Sequence, residues 1–410
     1  MENLADLFTS VAVKELVQVD LPGGSNQHEI NGSRALQGFF SANQRTQAEV
    51  SWHYFADGQD PVRDEGWITF YDARERSVSR TGHSEWRLYY HGNFLRYALP
   101  GDVLILARAR LDGGTARYFA LVFQQDSSWL RAVKVLLGLD EVPTSLELVP
   151  EATLSSAALE FTRQRVLDEL GLEIALPPAK TDEQIITDKF GWEFPTTAQM
   201  STFARTLVDT DVAQADDTLV LWLTREEQLF RALERVLVQR QLEEGFNSVE
   251  DFISFSLSVQ NRRKSRMGHA LEHHLAALFD GNDVRYSRQA RTEGKNKPDF
   301  LFPGLEQYQN QSYSSTRLTI LASKSSCKDR WRQILTEAVR IHPKHLCTLE
   351  PGISTSQTDE MKQQQVRLVL PSSLLATYTS AQHQEILSVQ QFISMVLARQ
   401  RPYDHVRRTH

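Results

Sequence analysis

Three side chains, an aspartate, a lysine and a glutamate, stand in an order suited to cutting a phosphodiester. Asp299 follows Pro298 at the head of a short apolar run, Lys324 ends the next strand, expected at 318–322, and Glu337 lies on the helix expected after that strand. Phosphodiester hydrolysis needs a divalent cation that neutralises charge on the phosphorane and lowers the pKa of the attacking water. Hard oxygen ligands hold such a cation, so Asp299 and Glu337 suit magnesium. Lys324 would set an ammonium beside the scissile phosphate, orienting the nucleophile or stabilising the developing charge. A lone Pro-Asp pair or strand-end lysine is common in α/β proteins. The ordered set carries more weight, because each member falls where a regular element ends.

Other residues near this set admit two readings each. Glu272 follows a basic run and is either a further acid of the site or a helix surface residue. Lys328, Asp329 and Arg330 begin the helix expected after Lys324. Lysine and arginine can read guanine edges and aspartate the cytosine amino group, although three such charges also make a structural ion-pair cluster. His269 and His273 have the spacing of a zinc pair, but His-Ala-Leu-Glu-His-His lacks the His-Glu-x-x-His order and no third ligand is obvious. A polar helix face is the better reading of that pair.

Positioning these residues requires an α/β frame. Helices are expected at 197–208, 219–243, 248 onward, 267–279, about 328 onward and 381–398, with strands at 284–288, 299–302, 318–322, 345–349 and 366–370. Alternating strands and helices predict a mixed sheet flanked by helices. The first third differs. Apolar or alternating runs at 11–19, 49–55, 67–71, 86–90, 103–107 and 118–123 are separated by turn residues such as Asp57-Gly58 and Pro100-Gly101, which predicts an all-β barrel. Arg74, Arg76, Arg80 and Arg87 crowd among aromatics there, as phosphate and base contacts would, or as a solvated face around hairpins. Prolines at 143, 150, 177 and 178 bracket an amphipathic helix at 154–170, so 141–185 is expected to link a domain at 1–140 to one at 186–410.

Composition permits this. The chain has 410 residues, 41% of them hydrophobic, enough for more than one core. A net charge of -7 argues against wholesale coating by nucleic acid, yet says little where basic residues cluster. No apolar run approaches a membrane span and residues 1–6 lack a signal-peptide pattern, so a cytoplasmic location is expected. Cys327 and Cys347 make neither a disulfide framework nor a zinc site.

The stretches 258–272, 292–303 and 327–335, in that order, closely resemble the catalytic half of the EcoRII-type (Type IIE) restriction endonucleases, and the similarity runs from about residue 185 to the C-terminal helix. The resemblance implies a restriction-endonuclease-like PD-(D/E)XK α/β domain that uses magnesium and cleaves duplex DNA at a short CC-W-GG-like site. It implies that Asp299, Lys324 and Glu337 are catalytic, with Glu272 an additional acid, and that Lys328, Asp329 and Arg330 read the outer C and G pairs. The widespread nuclease pattern keeps an acid two residues before the lysine; here that position is Ala322, and this branch takes its acid from the following helix, as Glu337 would supply. Relatives flip the central base pair, and Trp222 and Arg225 lie in the corresponding region. The first third looks like the DNA-binding pseudobarrel shared with plant transcription factors, with Arg74, His83, Glu85 and Arg87 placed to contact an effector copy of the site. A palindromic target further implies a homodimer through the catalytic domain. The other classes consistent with the residues are a DNA-binding regulator with an inactive nuclease core and a repair or junction-resolving nuclease.

Overall fold

The computed structural model describes residues 8–22, 28–33, 36–40, 45–74, 84–91, 94–110, 116–139, 141–149, 180–293, 296–325 and 327–401. The chain divides into two compact units, Met1–Ile174 and Ala175–His410.

In the first unit, strands β1 (Phe8–Glu15), β2 (Glu29–Asn31), β3 (Thr46–Phe55), β4 (Val62–Asp72), β5 (Trp86–Tyr90), β6 (Val103–Arg110), β7 (Ala116–Phe123) and β8 (Glu147–Leu148) form one sheet, in the order β2-β5-β4-β3-β7-β6-β1-β8. Every pairing is antiparallel except β3 with β7. The end strands β2 and β8 do not pair with each other among the described residues, so the expected barrel is an open sheet there. Along β6, Leu104 and Leu106 join one core with Trp52, Phe70 and Leu88, while Val103, Ile105 and Ala107 join another with Phe55, Phe119 and Phe123. Side chains alternate across a strand, so a strand covered on both faces reads as an unbroken apolar run. Helix α1 (Leu36–Phe40) buries Leu36, Phe39 and Phe40 in the first core, and α2 (Ser128–Leu136) buries Leu130, Val133 and Leu136 in the second. Helix α2 was not expected; Ser127 caps it by accepting the Leu130 N–H at 3.1 Å.

Both ends of the expected linker are built into the units beside it. Strand β8 pairs with β1 and Leu146 is fully buried in the first unit, while α3 (Lys180–Phe190) places Ile186 in a core of the second. The helix expected at 154–170 lies outside the described residues.

The second unit continues with α4 (Thr197–Thr206), α5 (Ala215–Glu244) and α6 (Val249–Gly281). Helix α6 runs unbroken through the basic stretch 261–266, where two helices were expected, because neither proline nor a capping turn interrupts it. Strands β9 (Ser287–Arg288), β10 (Phe300–Phe302), β11 (Thr319–Lys324), β12 (Lys344–Thr348), β13 (Val366–Leu370) and β14 (Leu387–Ser388) follow in sheet order β14-β13-β12-β11-β10-β9. Strands β11 to β14 are parallel and β9 to β11 antiparallel, the mixed sheet that was expected. Helix α7 (Thr355–Gln363) connects β12 to β13. The last expected helix is divided: Ser388 ends β14 and caps α8 (Val389–Gln400) by accepting the Gln391 N–H at 3.1 Å. On one sheet face Phe300 and Phe302 pack edge-on to Phe279 of α6, at 5.1 and 5.2 Å between rings. On the other, Leu301 and Ile320 pack against Ala338 and Ile341. No helix among the described residues is long and apolar enough to cross a membrane.

Candidate active site

Strand alternation decides which side chains meet. The register pairs Phe300 with Leu321 and Leu301 with Ile320, so Asp299, next in line, falls beside Ala322. Asp299 shares the face of Leu301, and Ala322 and Lys324 share that of Ile320, which is the face covered by Ala338 and Ile341. Asp299 Oδ2 accepts the Ser323 N–H at 2.7 Å and the Lys324 ammonium at 3.3 Å. The backbone bond fixes the carboxylate, and the carboxylate then orients Lys324.

Glu337 reaches this pair by a route the sequence did not indicate. Residues Lys328–Thr336 form a 3-10 helix rather than an α-helix, with Trp331 and Ile334, three apart, both buried as that spacing allows. Glu337 does not sit on the helix; it leaves the last turn in an extended conformation. Burial first, and then the negative charge of Asp299, push its carboxyl up to about 7 against the pull of Lys324 and Lys344. Its Oε2 is buried with no hydrogen-bond partner among the described residues. Two carboxylates close enough for one to feel the charge of the other, one with an orphaned oxygen, are hard-oxygen donors of the kind that a divalent cation takes. No cluster of three or more His, Cys, Asp or Glu is present among the described residues, so water and backbone oxygens would complete such a site. The small side chain of Ala322 beside Asp299 leaves that face clear where an acid on the strand would otherwise project.

The remaining expected site residues divide. The backbone of Lys328, Asp329 and Arg330 forms the first turn of the 3-10 helix, next to the end of β11; their side chains lie outside the described set. The Glu272 carboxylate accepts from Arg288 at 2.7 Å and from Gln289 at 3.2 Å, and the Gln289 N–H donates to the Asp299 carbonyl at 3.1 Å. Arg288 pairs with Phe300 in the sheet and lies over its ring. His269 and His273 join no metal cluster among the described residues, and burial lowers the pKa of His273. The neighbouring His274, passed over in the sequence, is the buried one, with Nε2 at 2.9 Å from Glu226 and Nδ1 at 3.3 Å from Arg205. Sequence reasoning also missed Glu350, whose carboxylate accepts the Cys327 N–H at the start of the 3-10 helix.

Trp222 and Arg225, the expected base-pocket walls, both have partners within the chain. Trp222 is 5% exposed, donates its indole N–H to Thr210 at 3.0 Å and packs on His274. Arg225 is held by both oxygens of Asp182, at 2.8 and 3.0 Å. Trp222→Ala is accordingly expected to cost about 3–5 kcal/mol of stability, the usual price of emptying a buried aromatic site. Denaturant midpoints check this, and a loss below about 1 kcal/mol would put the indole outside the packed core.

In the first unit, Arg74, Glu85 and Arg87 do come together around the β4–β5 connection. Glu85 accepts from Arg74 at 2.6 Å and from Arg87 at 2.5 Å, and Arg87 also pairs with Glu29. Hydrogen bonds from Arg87 and then Arg74 hold the Glu85 carboxyl below the usual range. His83, Arg76 and Arg80 lie outside the described residues.

Part of the chain is similar to known proteins. Residues 230–393 match the family model described as EcoRII C terminal. The chain is 37% identical over 257 residues to the type II restriction enzyme EcoRII of Escherichia coli, a match covering 62% of each protein and so less than two thirds of that relative. Among solved structures, metal-depleted Ecl18kI in complex with uncleaved DNA is similar at a TM-score of 0.45 and 18% identity, covering 57% of this chain and 88% of that one. A complex of restriction endonuclease PspGI with substrate DNA gives 0.42 and 15%, covering 56% and 97%. The matched segment, residues 230–393, carries Asp299, Lys324 and Glu337 and is similar to the EcoRII C-terminal family.

Proposed function

We propose that this chain is a type II, IIE-like restriction endonuclease that makes double-strand breaks at a short CC-W-GG-like site by magnesium-dependent hydrolysis, under control of effector DNA bound by the first unit. The observation that supports this is the contact of Lys324 with Asp299 at 3.3 Å, with the Glu337 carboxyl shifted by the charges of both, within a segment that matches the EcoRII C-terminal family model.

Asp299 and Glu337 would hold the cation. Bound there, magnesium supplies charge neutralisation at the phosphate and a more acidic attacking water. Asp299 holds the Lys324 ammonium at 3.3 Å, so that this cation is aimed before DNA arrives. Lys328, Asp329 and Arg330 would read the outer base pairs, four residues from Lys324, which couples reading to cutting through one strand-to-helix junction. In the first unit, Arg74 and Arg87 would exchange part of their pairing with Glu85 for effector phosphates, with Glu85 taking a cytosine amino group. The palindromic target requires a two-fold pair of catalytic units, hence a homodimer.

A regulator with an inactive core is less well supported. Holding Glu337 beside Asp299 with an unsatisfied oxygen costs stability, and a protein that only binds DNA has no use for that cost. Incubation with duplex DNA in magnesium or in EDTA separates the two readings: discrete fragments only with magnesium support the nuclease, and intact DNA under both conditions supports the regulator. Removing residues 1–174 is expected to leave a nuclease that cuts single-site DNA at least as fast as the full chain. A folded second unit that cuts no DNA would contradict the regulatory role given to the first.

A further inference from the structure

Lys344, at the head of β12, is 1% exposed and lies at the opposite end of the parallel strands from Lys324. A buried ammonium needs acceptors for its three donors. Lys344 finds them in one short loop, donating to the carbonyls of Glu337, Ala338 at 3.1 Å and Ile341 at 3.4 Å. That loop carries a backbone irregularity where Glu337 turns toward Asp299: Ala338 has φ +44°, a left-handed conformation that disfavours a residue with a Cβ. The loop is also tied from its other side, by Asn296 donating to the Thr336 carbonyl at 2.7 Å and by Val339 donating to Glu293 at 3.3 Å.

We propose that Lys344 is a positioning residue for Glu337, clamping three loop carbonyls so that the Glu337 carboxylate is delivered to Asp299 against the strain at Ala338. The inference rests on the proposed nuclease reading, since it gives Lys344 a role only through Glu337. An α-helix or strand would have placed a catalytic acid without such help; the Glu337 backbone belongs to neither, so its position depends on what the carbonyls around it bind.

The test compares the full chain with Lys344→Met, Lys344→Arg and Asp299→Asn, using cleavage of a single DNA duplex across a magnesium titration, with specific DNA binding measured in EDTA. Lys344→Met is expected to raise the half-saturating magnesium concentration about tenfold, as loss of a supporting partner does at metal sites, while binding in EDTA stays unchanged. Lys344→Arg keeps charge and donors and is expected to shift the midpoint by roughly threefold. It decides the matter alone if the Met variant does not fold. A purely structural role would lower the melting temperature and leave the magnesium midpoint of the folded protein where it was, and that result overturns the proposal. If Asp299→Asn cuts like the unaltered chain, the nuclease site itself is misplaced and the role of Lys344 falls with it. If Asp299→Asn is inert while both Lys344 variants titrate normally, the site stands and only the positioning role is overturned.

Discussion

Asp299→Asn is expected to lower the single-turnover cleavage rate by about 10³-fold or more, while specific binding to DNA in EDTA persists. Asparagine keeps the size of the side chain and an oxygen able to accept the Ser323 N–H, so the strand end should stay folded. What it removes is a negative charge with two uses. One is the proposed holding of a cation jointly with Glu337; the other is to orient the Lys324 ammonium, which lies 3.3 Å away. Both losses act on charge that develops during reaction, so rate should fall far more than affinity. Burst kinetics and a binding isotherm on the same duplex check the split, and equal losses in the two would mean that Asp299 is structural.

Glu337→Gln is expected to abolish cleavage and yet stabilise the metal-free protein above neutral pH. The Glu337 carboxyl is pushed up to about 7, through burial and the charge of Asp299. Between the ordinary carboxylate value and about 7 the folded state keeps a proton that the unfolded state releases, so the contribution of Glu337 to stability falls as pH rises through that window and stays low above it. Glutamine resembles the protonated form and removes the fall. At pH 8 without divalent ions the variant should be more stable by about 1–2 kcal/mol, after allowance for the solvent that reaches a half-buried group. The difference should close near pH 4.5, and it should also shrink when magnesium is added to the unaltered protein, because a cation that binds only the folded site stabilises it. Denaturant midpoints at several pH values measure this, and a variant less stable than the parent at pH 8 would contradict the electrostatic account.

How much of this was legible in the sequence depended on whether a feature is set locally. The mixed sheet was legible because β10 to β13 are apolar runs set between helical patterns, and Asp299 and Lys324 meet because strand register leaves them little alternative. Strand β6 was legible as a strand, whereas the closure of a barrel was not, since closure depends on edge pairing that no local pattern specifies. The path of Glu337 was misread. An α-helix from Lys328 would have carried Glu337 on its surface; the chain instead makes a 3-10 helix, which tertiary contacts at Trp331, Ile334 and the Cys327 N–H hold in place. Lys344 looked like one more lysine, and its meaning exists only once three carbonyls surround it. Trp222, Arg225 and Glu272 were placed by resemblance, and the partners each has within the chain, Thr210, Asp182 and Arg288, could not be read from position.

The central claim is that one strand-to-helix junction both reads and cuts DNA. Sequencing the ends left on a duplex of known sequence tests it most directly. The account predicts that, with magnesium, every end falls at a single short sequence bounded by CC and GG, and that no ends appear in EDTA. Ends scattered without regard to sequence, or intact DNA bearing such sites in the presence of magnesium, would contradict it.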